Sequence, residues 1–142
     1  MLSISIVVIY ILRLSLLYKK YAYIITSCPG SRREESNIEI ESLSKKISTL
    51  EPKEFDKVMP AFLEFASPSI PEAIKECTEL GATKVTILPY FLSAGVHITR
   101  DIPNEITEAS EGSPGLEINV ADYFGSRDEI AEILMKTALD IK

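Results

Sequence analysis

A single histidine, no tryptophan and two cysteines far apart leave this chain few of the common routes to chemistry. Cys28 and Cys77 make neither a CxxC pair nor a zinc-finger spacing, so they read as reduced thiols in a cytoplasmic compartment, with Cys77 a plain core residue. The chain also lacks a basic excess. Its 15 Lys and Arg stand against 21 Asp and Glu, a formal charge of −6, whereas a nucleic-acid partner calls for a basic stripe. The glycine and lysine spacing of a P-loop is missing, which removes the commonest phosphate cradle. What remains is 46% apolar and 25% charged residues over 142 positions, the signature of one packed domain with a single core.

The first eighteen residues differ from the rest. Between Met1 and Tyr18 only Ser3, Ser5, Arg13 and Ser15 interrupt an apolar run, which Lys19 and Lys20 close. A spanning helix needs about 20 mainly apolar residues, and Arg13 inside the run costs roughly 2.5 to 3.5 kcal/mol on insertion. No positive n-region or clear cleavage site marks a signal peptide. Residues 1–18 therefore stand as an apolar extension with three open readings: a membrane anchor, a helix lying on the domain or on a partner, or the product of an unused upstream start.

From residue 19 onward, strand and helix patterns alternate. Tyr21 to Cys28 is β-prone and ends at Pro29-Gly30. From Arg33 to about Leu50, Ile40, Leu43, Ile47 and Leu50 recur at helical spacing. Lys57 to Phe65 reads as a strand with Glu64 near its end, although Pro60 argues against a central position. Ser69 with Glu72 forms a capping box, and Ile70, Ala73, Ile74, Cys77 and Leu80 give an apolar face that stops at Gly81. Lys84 to Leu92 is a nearly continuous apolar run that suits a strand covered on both faces. A helix from Thr99 to about Ala109 follows, then a short strand from Leu116 to Val120. A last helix is expected after a second capping box, Ser126 with Glu129, with Ile130, Ile133, Leu134, Ala138 and Ile141 turned inward. Four strand-helix alternations predict an α/β domain over residues 19–142 with a mainly parallel four-stranded sheet flanked by helices.

Ligands bind such sheets beyond the carboxyl ends of the strands, where three loops would meet: residues 28–33, 64–69 and 93–101. The first brings Ser31, Arg32 and Arg33 to a helix N-terminus, a place that favours an anion, though a solvated turn explains it equally well. The second carries Glu64 in the apolar phrase Phe62-Leu63-Glu64-Phe65, which suits proton transfer or metal ligation, or else a helix cap. The third carries His97, a ligand or base near neutral pH, with Arg100 and Asp101 in reach to orient its ring.

Three phrases carry a resemblance: Gly30-Ser31-Arg32-Arg33-Glu34-Glu35-Ser36-Asn37; Ala61 through Ala73, containing Ala61-Phe62-Leu63-Glu64; and Leu88 through His97, followed by Asp101-Ile102-Pro103. In order and spacing, over about residues 21 to 142, the chain looks like the small sirohydrochlorin chelatases of the CbiX type. The resemblance implies a chelatase-like α/β fold, a homodimer, and insertion of Co²⁺ or Fe²⁺ into the tetrapyrrole sirohydrochlorin for cobalamin or sirohaem. It implies no nucleotide and no organic cofactor, the metal being substrate. It assigns Glu64 and His97 as metal-binding and catalytic residues. Ser31, Arg32, Ser93, Ala94, Gly95 and Arg100 become substrate contacts, arginines being suited to the macrocycle's carboxylates. One family histidine is absent: where the family reads His-Gly-Ser-Arg, this chain reads Pro29-Gly30-Ser31-Arg32, and proline cannot ligate a metal. Two expectations follow, an active metallochelatase with a reduced donor set, or a catalytically impaired relative that binds tetrapyrrole or metal. Cys28, next to the lost position, is a conceivable thiolate donor if the Pro29 turn swings it inward.

Overall fold

The computed structural model describes residues 21–50 and 54–141; the extension at residues 1–18 lies outside them. The elements in chain order are β1 (Ala22–Cys28), α1 (Glu34–Ser48), β2 (Lys57–Phe62), α2 (Ile70–Glu79), β3 (Lys84–Pro89), a π-helical turn (His97–Asp101) leading into α3 (Ile102–Gly112), β4 (Glu117–Val120), a 3-10 turn (Phe124–Ser126) and α4 (Glu129–Leu139). The four strands form one sheet in the order β2-β1-β3-β4, every pair parallel. The predicted α/β architecture is the observed one. Pro60 lies in β2 at the sheet edge, where a missing N–H costs no ladder bond on the open side.

The two faces of the sheet are covered unequally. Alternate strand residues Tyr23, Ile25, Met59, Ala61, Val85 and Ile87 turn to one face and are sealed by Ile70, Ala73, Ile74 and Cys77 of α2 and by Ile102 and Ala109 of α3. The Ser69–Glu72 capping box of α2 is formed in both directions: Ser69 N–H donates to the Glu72 carboxylate at 2.8 Å, and Glu72 N–H donates to Ser69 Oγ at 3.3 Å. Cys77 Sγ sits 3.3 Å from Met59 Sδ in this core, and burial pushes its thiol up to about 11.

Over the opposite face lie α1 and α4, and here the expectations for the last helix and its cap need correction. Ile40, Leu43 and Ile47 of α1 are only half-buried, Ser44 is the buried residue of that helix, and Leu50 is exposed. No residue of α4 is buried: Leu134 is 64% exposed, and Ile141, past the end of the helix, is 83% exposed rather than turned inward. The second capping box does not form, because α4 starts after Asp128 without a side-chain cap and Ser126 Oγ donates instead to the Tyr123 carbonyl. Leu80, expected in the α2 face, is the C-cap and half exposed.

Candidate functional site

The site residues sit on the loops that leave the carboxyl ends of β1, β2 and β3. β2 and β3 are not neighbours, since β1 runs between them, so Glu64 and His97 leave the sheet on either side of the Pro29 turn. Backbone bonds sew these loops together. Leu63 N–H donates to Cys28 O at 3.0 Å, Glu64 N–H to Pro29 O at 2.9 Å, and Tyr90 N–H to Ser27 O at 2.7 Å. Phe62 N–H donates to Pro68 O at 2.8 Å and so closes the Glu64 loop on itself. Gly30 has φ +84°, and a Cβ there would run into the Glu64 carbonyl oxygen. Only glycine combines that conformation with so close an approach.

Glu64 is two residues beyond the end of β2 and exposed, not buried as its apolar neighbours implied. Phe65 is the reason: it takes φ +62° and turns its ring outward, 58% exposed, beneath the Arg32 guanidinium at 4.9 Å from the ring centroid. Glu64 is thus a hydrated carboxylate on the wall of a cleft of about 270 Å³, lined also by Leu63, Arg100, Asp101, Asn104 and Glu105.

His97 opens the π-helical turn. Its ring packs against Phe91, centroids 5.8 Å apart, and its Nδ1 lies 2.8 Å from Asp101 Oδ2. Asp101 is held from the other side by Arg100 Nε, which donates to Oδ1 at 2.8 Å. The Arg100 bond first, then the His97 bond, keeps the Asp101 carboxyl below the usual carboxylate range. An ionised Asp101 accepts from Nδ1–H, which leaves the lone pair on Nε2 for a metal ion or a proton. The structure therefore gathers Glu64, Arg100 and Asp101 around one cleft and ties His97 to that cleft through Asp101.

The other candidates are placed differently. Ser31 is occupied in shaping its own loop: its Oγ accepts from Arg33 N–H at 3.0 Å, while Asn37 bonds its backbone on both sides at 2.9 and 2.8 Å. Glu34 and Glu35 occupy the first turn of α1, where an incoming anion meets them before it meets the helix dipole. Ser93, Ala94 and Gly95 are exposed, and the space beside Gly95 is open. Cys28 is 3% exposed, and burial pushes its thiol up against a smaller opposing effect of the Gly30 backbone amide; a thiolate donor there is not supported. Among the described residues no cluster of three or more His, Cys, Asp or Glu is placed to hold a metal ion, so any ion here meets few protein donors.

Sequence reasoning missed Glu105. It lines the Glu64 cleft, and its Oε2 is buried with no hydrogen-bond partner among the described residues. Burial pushes its carboxyl up; the Ile70 backbone amide opposes this, and the charges of Glu108 and Asp101 add to it. Its spacing of four from Asp101 on a helical stretch was the available signal.

Comparison with known proteins places this geometry. A family model described as CbiX matches residues 23–140. The chain is 36% identical over 89 residues to the sirohydrochlorin cobaltochelatase of Sulfurisphaera tokodaii, an alignment covering 63% of this chain and 71% of that protein. It is 32% identical over 105 residues to the chloroplastic sirohydrochlorin ferrochelatase of Arabidopsis thaliana, covering 74% of this chain and 46% of that one. Its fold superimposes with a TM-score of 0.71 and 26% identity on the sirohydrochlorin chelatase SirB of Bacillus subtilis subspecies spizizenii in complex with cobalt, covering 87% of this chain and 51% of that chain. The chain thus spans about half the length of the ferrochelatase and of SirB. With a parallel sheet in the order β2-β1-β3-β4, Glu64 and His97 on its carboxyl rim, and a family match over nearly all described residues, the chain belongs to the CbiX family.

Proposed function

We propose that this protein inserts Co²⁺ or Fe²⁺ into sirohydrochlorin, acting as a metallochelatase in the cytoplasm. The observation that carries the reading is the His97–Asp101 bond, which ties the imidazole to the cleft that Asp101 and Glu64 line together and leaves Nε2 free of Asp101. Two relatives that handle cobalt and iron, respectively, support the choice of metals.

Insertion replaces two pyrrolic N–H protons by one divalent cation, so charge balances when both protons leave the macrocycle. His97 Nε2 and the Glu64 carboxylate hold the ion loosely at the rim. As the macrocycle nitrogens take over the metal, each donor regains a lone pair and accepts one proton, which then passes to water. Few protein donors suit this task, since a tightly held ion would not transfer. Pro29 stands between the two donor loops with no side-chain donor, so binding of the free ion is weak and relies on this pair.

The cleft near Glu64, at about 270 Å³, is small for a tetrapyrrole, which would lie across the exposed rim with Arg32 and Arg100 against its carboxylates and Ser93 to Gly95 beneath it. A second copy of the chain would wall the other side. That a single SirB chain is about twice as long as the part matched here supports a homodimer.

The test is an anaerobic absorbance assay with sirohydrochlorin and Co²⁺ or Fe²⁺. Wild type is expected to exceed the protein-free rate, and His97→Ala to lower kcat/KM by about 10²-fold or more, the typical scale of a positioned acid-base group. A wild-type rate no faster than the protein-free one overturns the proposal.

A further inference from the structure

Among the described residues, Arg32 is the arginine that no carboxylate neutralises. Arg33 lies 4.0 Å from Glu35, Arg100 2.8 Å from Asp101 and Arg127 2.9 Å from Glu129. Arg32 instead lies over the ring of Phe65, its guanidinium carbon 4.9 Å from the centroid, and is exposed to solvent. In a chain with a formal charge of −6, a guanidinium without an acidic neighbour is available to an anion from outside. Phe65 is unusual at the same spot. It is the one non-glycine residue with positive φ among the described residues, at +62°, a conformation that disfavours an aromatic side chain. Core packing does not explain it, since the ring is 58% exposed. Nor do the loops need the ring as a brace, because Leu63 and Glu64 N–H already bond the Cys28 and Pro29 carbonyls at 3.0 and 2.9 Å.

We infer that Phe65 is a positioning residue, whose ring holds the Arg32 guanidinium flat on the rim so that its free N–H edge takes a peripheral carboxylate of the tetrapyrrole. This rests on the chelatase reading above and adds to it a residue with a defined task. Stacking occupies the face of the guanidinium and leaves its in-plane donors open, and a carboxylate accepts two parallel N–H bonds from such an edge. Ordering the side chain before the ligand arrives lowers the entropy lost on binding. Arg100 is less free for this task, because its Nε already donates to Asp101, the partner of His97. Phe65 directly follows Glu64, so one loop carries both a proposed metal donor and the support for the carboxylate contact.

A metal-free titration of sirohydrochlorin with the full chain, followed by the fluorescence of the macrocycle, tests this apart from the chelation step. Arg32→Gln is expected to raise Kd about 10-fold or more, the scale of a lost charged hydrogen-bond pair. Phe65→Leu is expected to raise it about 3- to 10-fold, while Phe65→Tyr, which keeps a ring for the guanidinium, restores binding close to wild type. The variant carrying both Arg32→Gln and Phe65→Leu binds no more weakly than Arg32→Gln alone, because the ring acts through the guanidinium. In the anaerobic assay with Co²⁺, the loss in Phe65→Leu falls on KM for sirohydrochlorin rather than on kcat. Thermal unfolding followed by circular dichroism reports that each variant is folded. If wild type binds and Phe65→Leu binds as tightly, or Phe65→Tyr loses as much as Phe65→Leu, or the two losses multiply in the double variant, the inference is overturned while the chelatase reading stands. Wild type that binds no sirohydrochlorin overturns both.

Discussion

Asp101 offers one carboxylate edge to His97 Nδ1 and the other to Arg100 Nε, each at 2.8 Å. Replacing it by asparagine keeps the shape but puts an amide beside Nδ1. The ring then loses its fixed tautomer and Arg100 loses its anchor, so Asp101→Asn is expected to lower kcat/KM for chelation by about 10- to 100-fold, the usual cost of losing an orienting partner. A smaller loss than in His97→Ala, seen in the same assay, distinguishes positioning from direct participation. Glu105, four residues on, behaves oppositely as a titrating group. Its carboxyl is raised by burial, so the folded state holds its proton more tightly than the unfolded chain does. That contribution is fully present below the ordinary glutamate pKa and is lost as pH rises through the raised folded value. Glu105→Gln is therefore expected to match wild type below about pH 4 and to be the more stable protein at pH 7. Thermal unfolding at the two pH values checks this, and a difference that does not change with pH contradicts it.

Among the elements, the β1–α1 turn sets the distance between the first two site loops. Gly30 lets the Pro29 carbonyl accept from Glu64 N–H while its own φ stays at +84°. Gly30→Ala must both enter a left-handed conformation and displace the Glu64 loop, so a loss of more than about 1 kcal/mol is expected in urea unfolding, with a chelation rate lowered beyond what the folded fraction accounts for. α2 was legible up to its C-cap Leu80, because the capping box, Pro71 and the Ile70, Ala73, Ile74 and Cys77 face all favour the same helix. α4 was not. Its apolar residues repeat at helical spacing, but periodicity reports which side of a helix is apolar and not whether anything covers it. The Ser126–Glu129 spacing failed for a local reason: Ser126 is held in the 3-10 turn by the Tyr123 carbonyl.

For the whole molecule, strand-helix alternation made the parallel sheet readable, since each crossover needs a helix and the pattern supplies one. The spatial order of strands was less accessible. β1 lies between the strands that lead to Glu64 and His97, and sequence order does not encode which strand inserts into the middle. Glu64 was placed in the right loop but with the wrong exposure, because the outward turn of Phe65 depends on a positive φ that an aromatic residue rarely signals. Glu105 was overlooked because one carboxylate among several on a helix reads as a solvated charge. The family resemblance read from the three motifs and the family match over residues 23–140 agree on the family. The proposed function makes Glu64 and His97 joint donors beside the cleft that Asp101 lines, and a double-mutant cycle on the anaerobic chelation rate measures that link most directly. With Glu64→Gln, His97→Ala and the double variant, we predict that the double variant is no slower than His97→Ala alone, because the two donors hand over one ion together. Independent, multiplying losses, or full activity in both single variants, would contradict the account.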